Sequence, residues 1–74
     1  SLLQDQFADI ETAGLDCQHN ELVALLSAPA LWSEDAAGSN IQPLNHALVG
    51  KAQQLISARF PPYAVPSRFF VVKQ

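Results

Sequence analysis

The apolar residues of this chain fall into short runs, and one of these runs is continuous. Residues 21–27 read Glu-Leu-Val-Ala-Leu-Leu-Ser and are followed closely by Pro29. A run of this length that is apolar at successive rather than alternate positions is typical of a strand covered on both faces. We therefore predict a central strand over 21–27.

Two shorter segments also have the character of strands. Residues 68–72, Arg-Phe-Phe-Val-Val, are aromatic and β-branched, which favours extended backbone. Residues 1–4, Ser-Leu-Leu-Gln, have no turn or cap before them, so we predict the tail of a strand that is already under way. Residues 5–20 are predicted to form a loop with one helical turn, because their apolar positions are scattered and Gly14 weakens a helix.

The clearest predicted element is an amphipathic helix over 43–60. Its apolar side chains recur every three or four residues and form one stripe: Leu44, Leu48, Val49, Ala52, Leu55, Ile56 and Phe60. Pro43 suits the first turn of a helix, with Asn40 or Gln42 near the cap, and Pro61-Pro62 should end the helix. The preceding residues, 30–42, are polar and rich in turn formers, so we predict a loop there.

Together these elements predict an α+β fold in which a small three-stranded sheet packs against one principal amphipathic helix. The strands would span 1–4, 21–27 and 68–72. One helix covers one face of a sheet, so we expect a further element, outside this chain, to cover the second face of the central strand. We expect residues 1–74 to form a single unit, with that further element belonging to a larger fold.

Composition narrows the class of protein. The chain has 74 residues, of which 49% are hydrophobic and 15% charged, as in one small globular domain. Its net charge of −3 argues against a general nucleic-acid binder, which would carry a basic face. No apolar run approaches the ~20 residues that span a bilayer, and no secretory signal pattern is present. We therefore expect a cytoplasmic protein with no nucleic-acid or membrane partner.

Charge is distributed unevenly along the chain. All seven acidic residues lie in the first half, and all four basic residues lie in the last third. This separation is consistent with an interface polarised for a partner, but it is more typical of solvated loops that precede a cationic helix end.

Two short segments resemble phosphate-binding or carrier-protein motifs, but neither has all the features that its motif requires. Gly50-Lys51 lacks the upstream glycine and the following Ser or Thr of a phosphate-binding loop, and it falls inside the predicted helix. Residues 14–17, Gly-Leu-Asp-Cys, are similar to the serine-bearing site of acyl and peptidyl carrier proteins. A cysteine replaces the serine there, so the phosphodiester-linked arm could not be attached.

The remaining reactive side chains have no partner nearby in sequence. His19 and His46 could each serve as a base or a metal ligand, but each is more typical of an exposed or helix-start histidine. Cys17 is the only cysteine, so the chain forms no internal disulfide, and nothing beside it in sequence would activate the thiol. We therefore predict no catalytic, cofactor-binding or metal-binding residues on this chain.

The segment after the predicted helix is the most specific feature of the sequence. Residues 60–72 read Phe-Pro-Pro-Tyr-Ala-Val-Pro-Ser-Arg-Phe-Phe-Val-Val. This resembles the Leu-Pro-x-Tyr-Met-Val-Pro signature of adenylate-forming enzymes, and most closely that of the adenylation domains of nonribosomal peptide synthetases. The signature residues are Pro61, Tyr63, Val65 and Pro66. Paired prolines, a preproline valine and an aromatic ring also suit any helix-to-strand turn.

The rest of the chain follows the same order as the family's small C-terminal subdomain. Residues 21–24, Glu-Leu-Val-Ala, are similar to a strand of that subdomain, and an amphipathic helix precedes the signature. Phe60 and Ala64 replace the usual Leu and Met. The family's catalytic lysine, in an Asn-Gly-Lys motif, would lie beyond Gln74, and Lys73 does not match it.

The resemblance implies a mobile lid portion of an adenylation domain. Such a domain activates an amino or other carboxylic acid with ATP and magnesium as an acyl-adenylate, then passes the acyl group to a phosphopantetheine thiol. The implied partners are the large N-terminal adenylation subdomain and a peptidyl carrier domain, and the segment alone would be inactive. The alternatives are a free-standing protein-protein interaction module without catalysis, and a generic α+β domain that shares the turn by chance.

Overall fold

The computed structural model describes residues 2–34, 38–45 and 47–73. These residues form an α+β fold with one mixed four-stranded sheet in the order β1-β2-β4-β3. Its helices and strands are α1 (Leu2–Gln6), β1 (Thr12–Gln18), β2 (Glu21–Ser27), β3 (Ile41–Pro43), α2 (Ala47–Ser57) and β4 (Arg68–Val72). Two 3-10 turns, Pro29–Leu31 and Pro62–Ala64, lie between them.

A two-residue turn joins β1 and β2 into an antiparallel hairpin. His19 and Asn20 occupy the turn, with φ angles of 51° and 64°. Positive φ at both central positions is the type I′ geometry, whose twist matches that of the flanking strands. Gln18 therefore pairs with Glu21, and the register continues to Thr12 opposite Ser27.

The two apolar strands lie side by side at the centre of the sheet. β4 runs parallel to β2, with Ala24 opposite Phe69 and Leu26 opposite Val71. Parallel neighbours need a crossover connection, and the chain between β2 and β4 passes through β3 and α2. β3 pairs antiparallel with the outer side of β4.

The core lies between one face of the central strands and α2. The strands contribute four side chains that are almost fully buried: Ala24, Leu26, Phe69 and Val71. α2 covers them with three side chains spaced one turn apart: Leu48, Ala52 and Ile56. Leu3, Ile10 and Ala28 complete this cluster. The helix stripe predicted from the sequence therefore supplies the principal covering layer.

The opposite face of the central strands also carries apolar side chains. By alternation along the strands, this face presents Val23, Leu25, Phe70 and Val72. Val23 is buried, whereas the other three are only half-buried, and none of the four belongs to the core cluster of the described residues. The expectation that a further element covers this face stays a prediction.

The structure confirms the strands over 21–27 and 68–72 and corrects the first part of the chain. Residues 2–6 are helical rather than extended, and the amide of Phe7 continues the turn by donating to the Leu3 carbonyl at 2.9 Å. This turn buries Leu3 in the core. Residues 12–18, predicted as a loop, form β1, and residues 41–43, predicted as the end of a loop and the start of the helix, form β3. These two strands lie at the two edges of the sheet, which therefore has four strands rather than three.

The predicted helix over 43–60 is shorter at its start. Pro43 lies in β3, at an outer edge where a residue without an N–H is tolerated. Gln42 does not cap the helix, because its buried amide group accepts from the Ser33 N–H at 2.9 Å and donates to the Ser33 carbonyl. At the other end, helical bonding continues past Ser57 until the Phe60 N–H donates to the Ile56 carbonyl at 2.9 Å.

Candidate functional site

The segment between α2 and β4, residues 60–67, has a defined conformation, and we call it the connector. Pro61 is extended, with φ −61° and ψ 159°, and the chain then turns through Pro62–Ala64. Two bonds close the turn: Ala64 N–H donates to the Pro61 carbonyl at 2.9 Å, and Val65 N–H donates to the Pro62 carbonyl at 3.2 Å. Val65 is extended again, as expected for a residue before proline. The prolines thus end the helix and fix the turn.

The connector is anchored to both the helix and the sheet. Pro66 is fully buried, and its carbonyl accepts a hydrogen bond from Nε2 of Gln53 in α2 at 3.1 Å. One residue later, Ser67 N–H donates to the Leu22 carbonyl at 2.9 Å, beside the start of the β2–β4 pairing. The connector therefore holds β4 in register while presenting its turn outward.

The four predicted signature residues divide into two groups. Val65 packs against the core and Pro66 is buried, so both hold the connector in place. Pro61 is exposed, and Tyr63 is 84% exposed, the largest value among the exposed large hydrophobic residues of the described chain. A bulky ring that gains almost nothing from packing within its own chain is available for contact with another surface.

An apolar groove lies beside the connector. It has a volume of about 390 Å³ and opens between β1, the end of α2 and the connector. Its walls include residues 13–15 of β1, Ile56 of α2, and Phe60, Ala64 and Pro66 of the connector. Leu15 and Phe60 are 63% and 51% exposed. The groove therefore presents apolar surface rather than polar side chains.

A small polar cluster lies at the start of β4. Arg68 Nε is 3.4 Å from Glu21 Oε2, and the Ser67 hydroxyl donates to the same carboxylate oxygen at 3.4 Å. The Arg68 guanidinium also lies 5.2 Å from the centroid of the Phe70 ring. Both charged side chains are about half exposed, so the pair contributes little to stability.

The reactive side chains considered in the sequence are not gathered into one site. Cys17 is exposed on β1, and His19 is exposed in the hairpin turn, as predicted for this histidine. His46 lies outside the described residues. Lys51 is exposed on α2, and the Lys73 ammonium lies 5.7 Å from the centroid of the Trp32 ring. Within residues 2–34, 38–45 and 47–73, no three His, Cys, Asp or Glu side chains are grouped as metal ligands.

The sequence pattern indicates the connector but not the groove. The missing wall is β1, whose Leu15 was assigned to a loop. The sequence signal for β1 is the segment Thr-Ala-Gly-Leu-Asp-Cys-Gln followed by His-Asn. The first seven residues suit a short strand, and His and Asn are among the residues that tolerate the positive φ of the turn. Phe60 belongs to the predicted apolar stripe, but it lies beyond Ile56, the last core residue of α2, and about half of its surface is exposed.

No family model, curated protein or solved structure matches the chain. Among the described residues, no helix is both long and apolar enough to cross a membrane.

Proposed function

We propose that this chain is the mobile lid portion of an adenylation domain, most similar to those of nonribosomal peptide synthetases. The observation that carries the proposal is the connector, whose Pro-Pro-Tyr-Ala-Val-Pro sequence resembles the family signature. It follows an amphipathic helix and leads into a strand, which is the order that the resemblance implies. The whole domain would activate an amino or other carboxylic acid and transfer it to a carrier thiol.

The division of roles within the connector supports this proposal. A lid that changes position must keep its own shape, and the buried Pro66 with its bond from Gln53 fixes the connector to α2. A lid must also contact the body of the enzyme through side chains that its own core does not use. The exposed ring of Tyr63 meets that requirement.

In this proposal, ATP and magnesium belong to the large N-terminal subdomain. Among the described residues of this chain, no three carboxylate, imidazole or thiol side chains are grouped. Its residues would instead orient the lid and exclude water when the domain closes. The peptidyl carrier domain would meet the closed form.

A chimeric adenylation domain tests the proposal. Residues 1–74 would replace the corresponding segment of a characterised host domain, which keeps its own hinge before the segment and its own Asn-Gly-Lys motif after it. We expect the chimera to catalyse acid-dependent pyrophosphate exchange and to load the host's carrier domain, both within about tenfold of the host rate. A chimera that melts cooperatively but supports neither step would contradict the proposal.

The groove favours a second candidate function, a protein-protein interaction module without catalysis. Exposed contiguous apolar surface next to a defined turn is typical of docking sites. This candidate predicts that the folded chain binds a partner while the chimera is inactive in both steps. The two measurements together therefore separate the two functions.

A further inference from the structure

The outer edge of β1 is an open strand edge next to the groove. β1 is the first strand of the sheet and pairs only with β2. In a two-residue hairpin, the residues that flank the turn form a hydrogen-bonded pair, so Gln18, Asp16, Gly14 and Thr12 bond to β2. The alternate residues, Ala13, Leu15 and Cys17, therefore direct their N–H and C=O groups outward.

Two side chains limit the open part of this edge. The Cys17 N–H donates to Oδ1 of its neighbour Asp16 at 2.8 Å. At the other end, Gln4 Nε2 donates to the Glu11 carbonyl at 2.6 Å. The unobstructed backbone groups are therefore those of Ala13 and Leu15, whose residues also line the groove.

The edge and the groove define the geometry of an occupant. A strand added to β1 would place alternate side chains on the same face as Ala13 and Leu15, which is the face of the groove. A volume of about 390 Å³ is within the range of small ligand pockets, roughly 300–1,000 Å³, so apolar side chains fit. In strand addition of this kind, main-chain hydrogen bonds provide the affinity, and the pockets for alternate side chains provide the specificity.

Charge decides which kind of strand the edge accepts. Asp9 and Glu11 precede β1, Asp16 lies within it, and all three are exposed. None of them forms an ion pair within the described part of the chain. Pairing with a second copy would bring two such acidic edges together, whereas a partner with basic flanks would be attracted.

We propose that the β1 edge and its groove bind an extended peptide segment of a partner protein, apolar at alternate positions and flanked by Lys or Arg. This inference gives the partner class of the interaction-module candidate and does not depend on the adenylation proposal. The peptide assay below needs only the 74-residue chain, so its failure is distinct from failure of the chimera.

The test is a titration with the labelled peptide acetyl-Lys-Lys-Val-Thr-Leu-Thr-Val-Lys-Lys-amide. We expect saturable binding by fluorescence anisotropy, with amide chemical shifts moving at Ala13 and Leu15. A peptide with Glu in place of its four Lys should bind at least about tenfold more weakly. Methylation of the central leucine nitrogen should cause a similar loss, because it removes a main-chain donor.

Variants of the chain test whether the peptide binds at the groove. L15Q and F60Q change exposed groove walls and should each weaken binding several-fold without unfolding the chain. I41Q is the matched control, because Ile41 is 42% exposed and lies on the opposite face of the sheet. Equal affinity for the Glu-flanked peptide, equal affinity of L15Q and I41Q, or a dimer of the unliganded chain through β1 in sedimentation would overturn the proposal.

Discussion

Truncation of Leu26 tests whether the sheet and helix enclose a single core. Leu26 is 0% exposed and lies on the core face, between Ala13 of β1 and Val71 of β4. Replacement by alanine removes three buried carbons, worth about 2.4 kcal/mol at ~0.8 kcal/mol each. The cavity left between two hydrogen-bonded neighbours collapses only partly, which raises the expected loss to about 3–4 kcal/mol.

This loss is large for a chain of this size. An unfolding entropy of about 2.1 cal/mol/K per residue gives about 155 cal/mol/K for 74 residues. A loss of 3 kcal/mol then lowers Tm by about 20 °C. Thermal and urea unfolding followed by circular dichroism would measure the shift in Tm and the loss in free energy of unfolding. An unchanged m-value would show that the denatured state is the same in both proteins.

Leu15→Ala is the matched control for Leu26→Ala. It makes the same chemical change on the adjacent strand, but Leu15 is 63% exposed. We expect a loss of about 0.5 kcal/mol, or a shift in Tm of about 3 °C. If the two variants lost similar stability, or if Leu26→Ala lost less than about 1 kcal/mol, the proposed core and the strand order would be refuted.

Three further variants test local contacts. Gln42→Ala removes both bonds to the main chain of Ser33, and calorimetry should show a loss of about 1–3 kcal/mol. Changing His19 to Asn and Asn20 to Gly gives the Asn-Gly pair that type I′ turns favour, so Tm should rise by about 3–6 °C in a thermal melt. A fall in Tm would contradict the assigned turn. Gln53→Ala removes the bond to the connector carbonyl, and we expect a loss of about 1 kcal/mol in urea unfolding. Connector amides should then exchange faster with solvent, and unchanged exchange would show that this bond does not anchor the connector.

Sequence patterns predicted the central elements because burial imposes a strong pattern there. β2 and β4 lie at the centre of the sheet with α2 packed on one face, and every position after the first residue of each strand is buried or half-buried, so apolar side chains dominate both strands. The stripe on α2 was visible for the same reason: Leu48, Ala52 and Ile56 face one surface. The paired prolines predicted where the helix ends, and the connector therefore had to lie between that point and β4.

The edges of the sheet were missed because burial imposes little pattern on them. β1 has one outer edge in solvent, and most of its residues are exposed. Gly14 and Asp16 are therefore tolerated, and the alternation of apolar and polar residues along the strand is weak. β3 has only three residues, and Pro43 within it suggested the start of a helix. The groove depends on β1 and was therefore missed with it. Residues 1–4 were ambiguous because a short apolar segment fits one helical turn as well as a strand.

The proposed lid function depends most directly on Tyr63. In the chimeric adenylation domain, the measurement is the rate of thioester formation on the carrier domain, compared between Tyr63→Ser and Ile41→Ser. Both changes remove exposed apolar side chains, so neither should unfold the chain. The account predicts that Tyr63→Ser slows loading about tenfold or more, whereas Ile41→Ser changes it less than about twofold. Equal loading by the two variants would contradict the assignment of the connector as the contact surface of the lid.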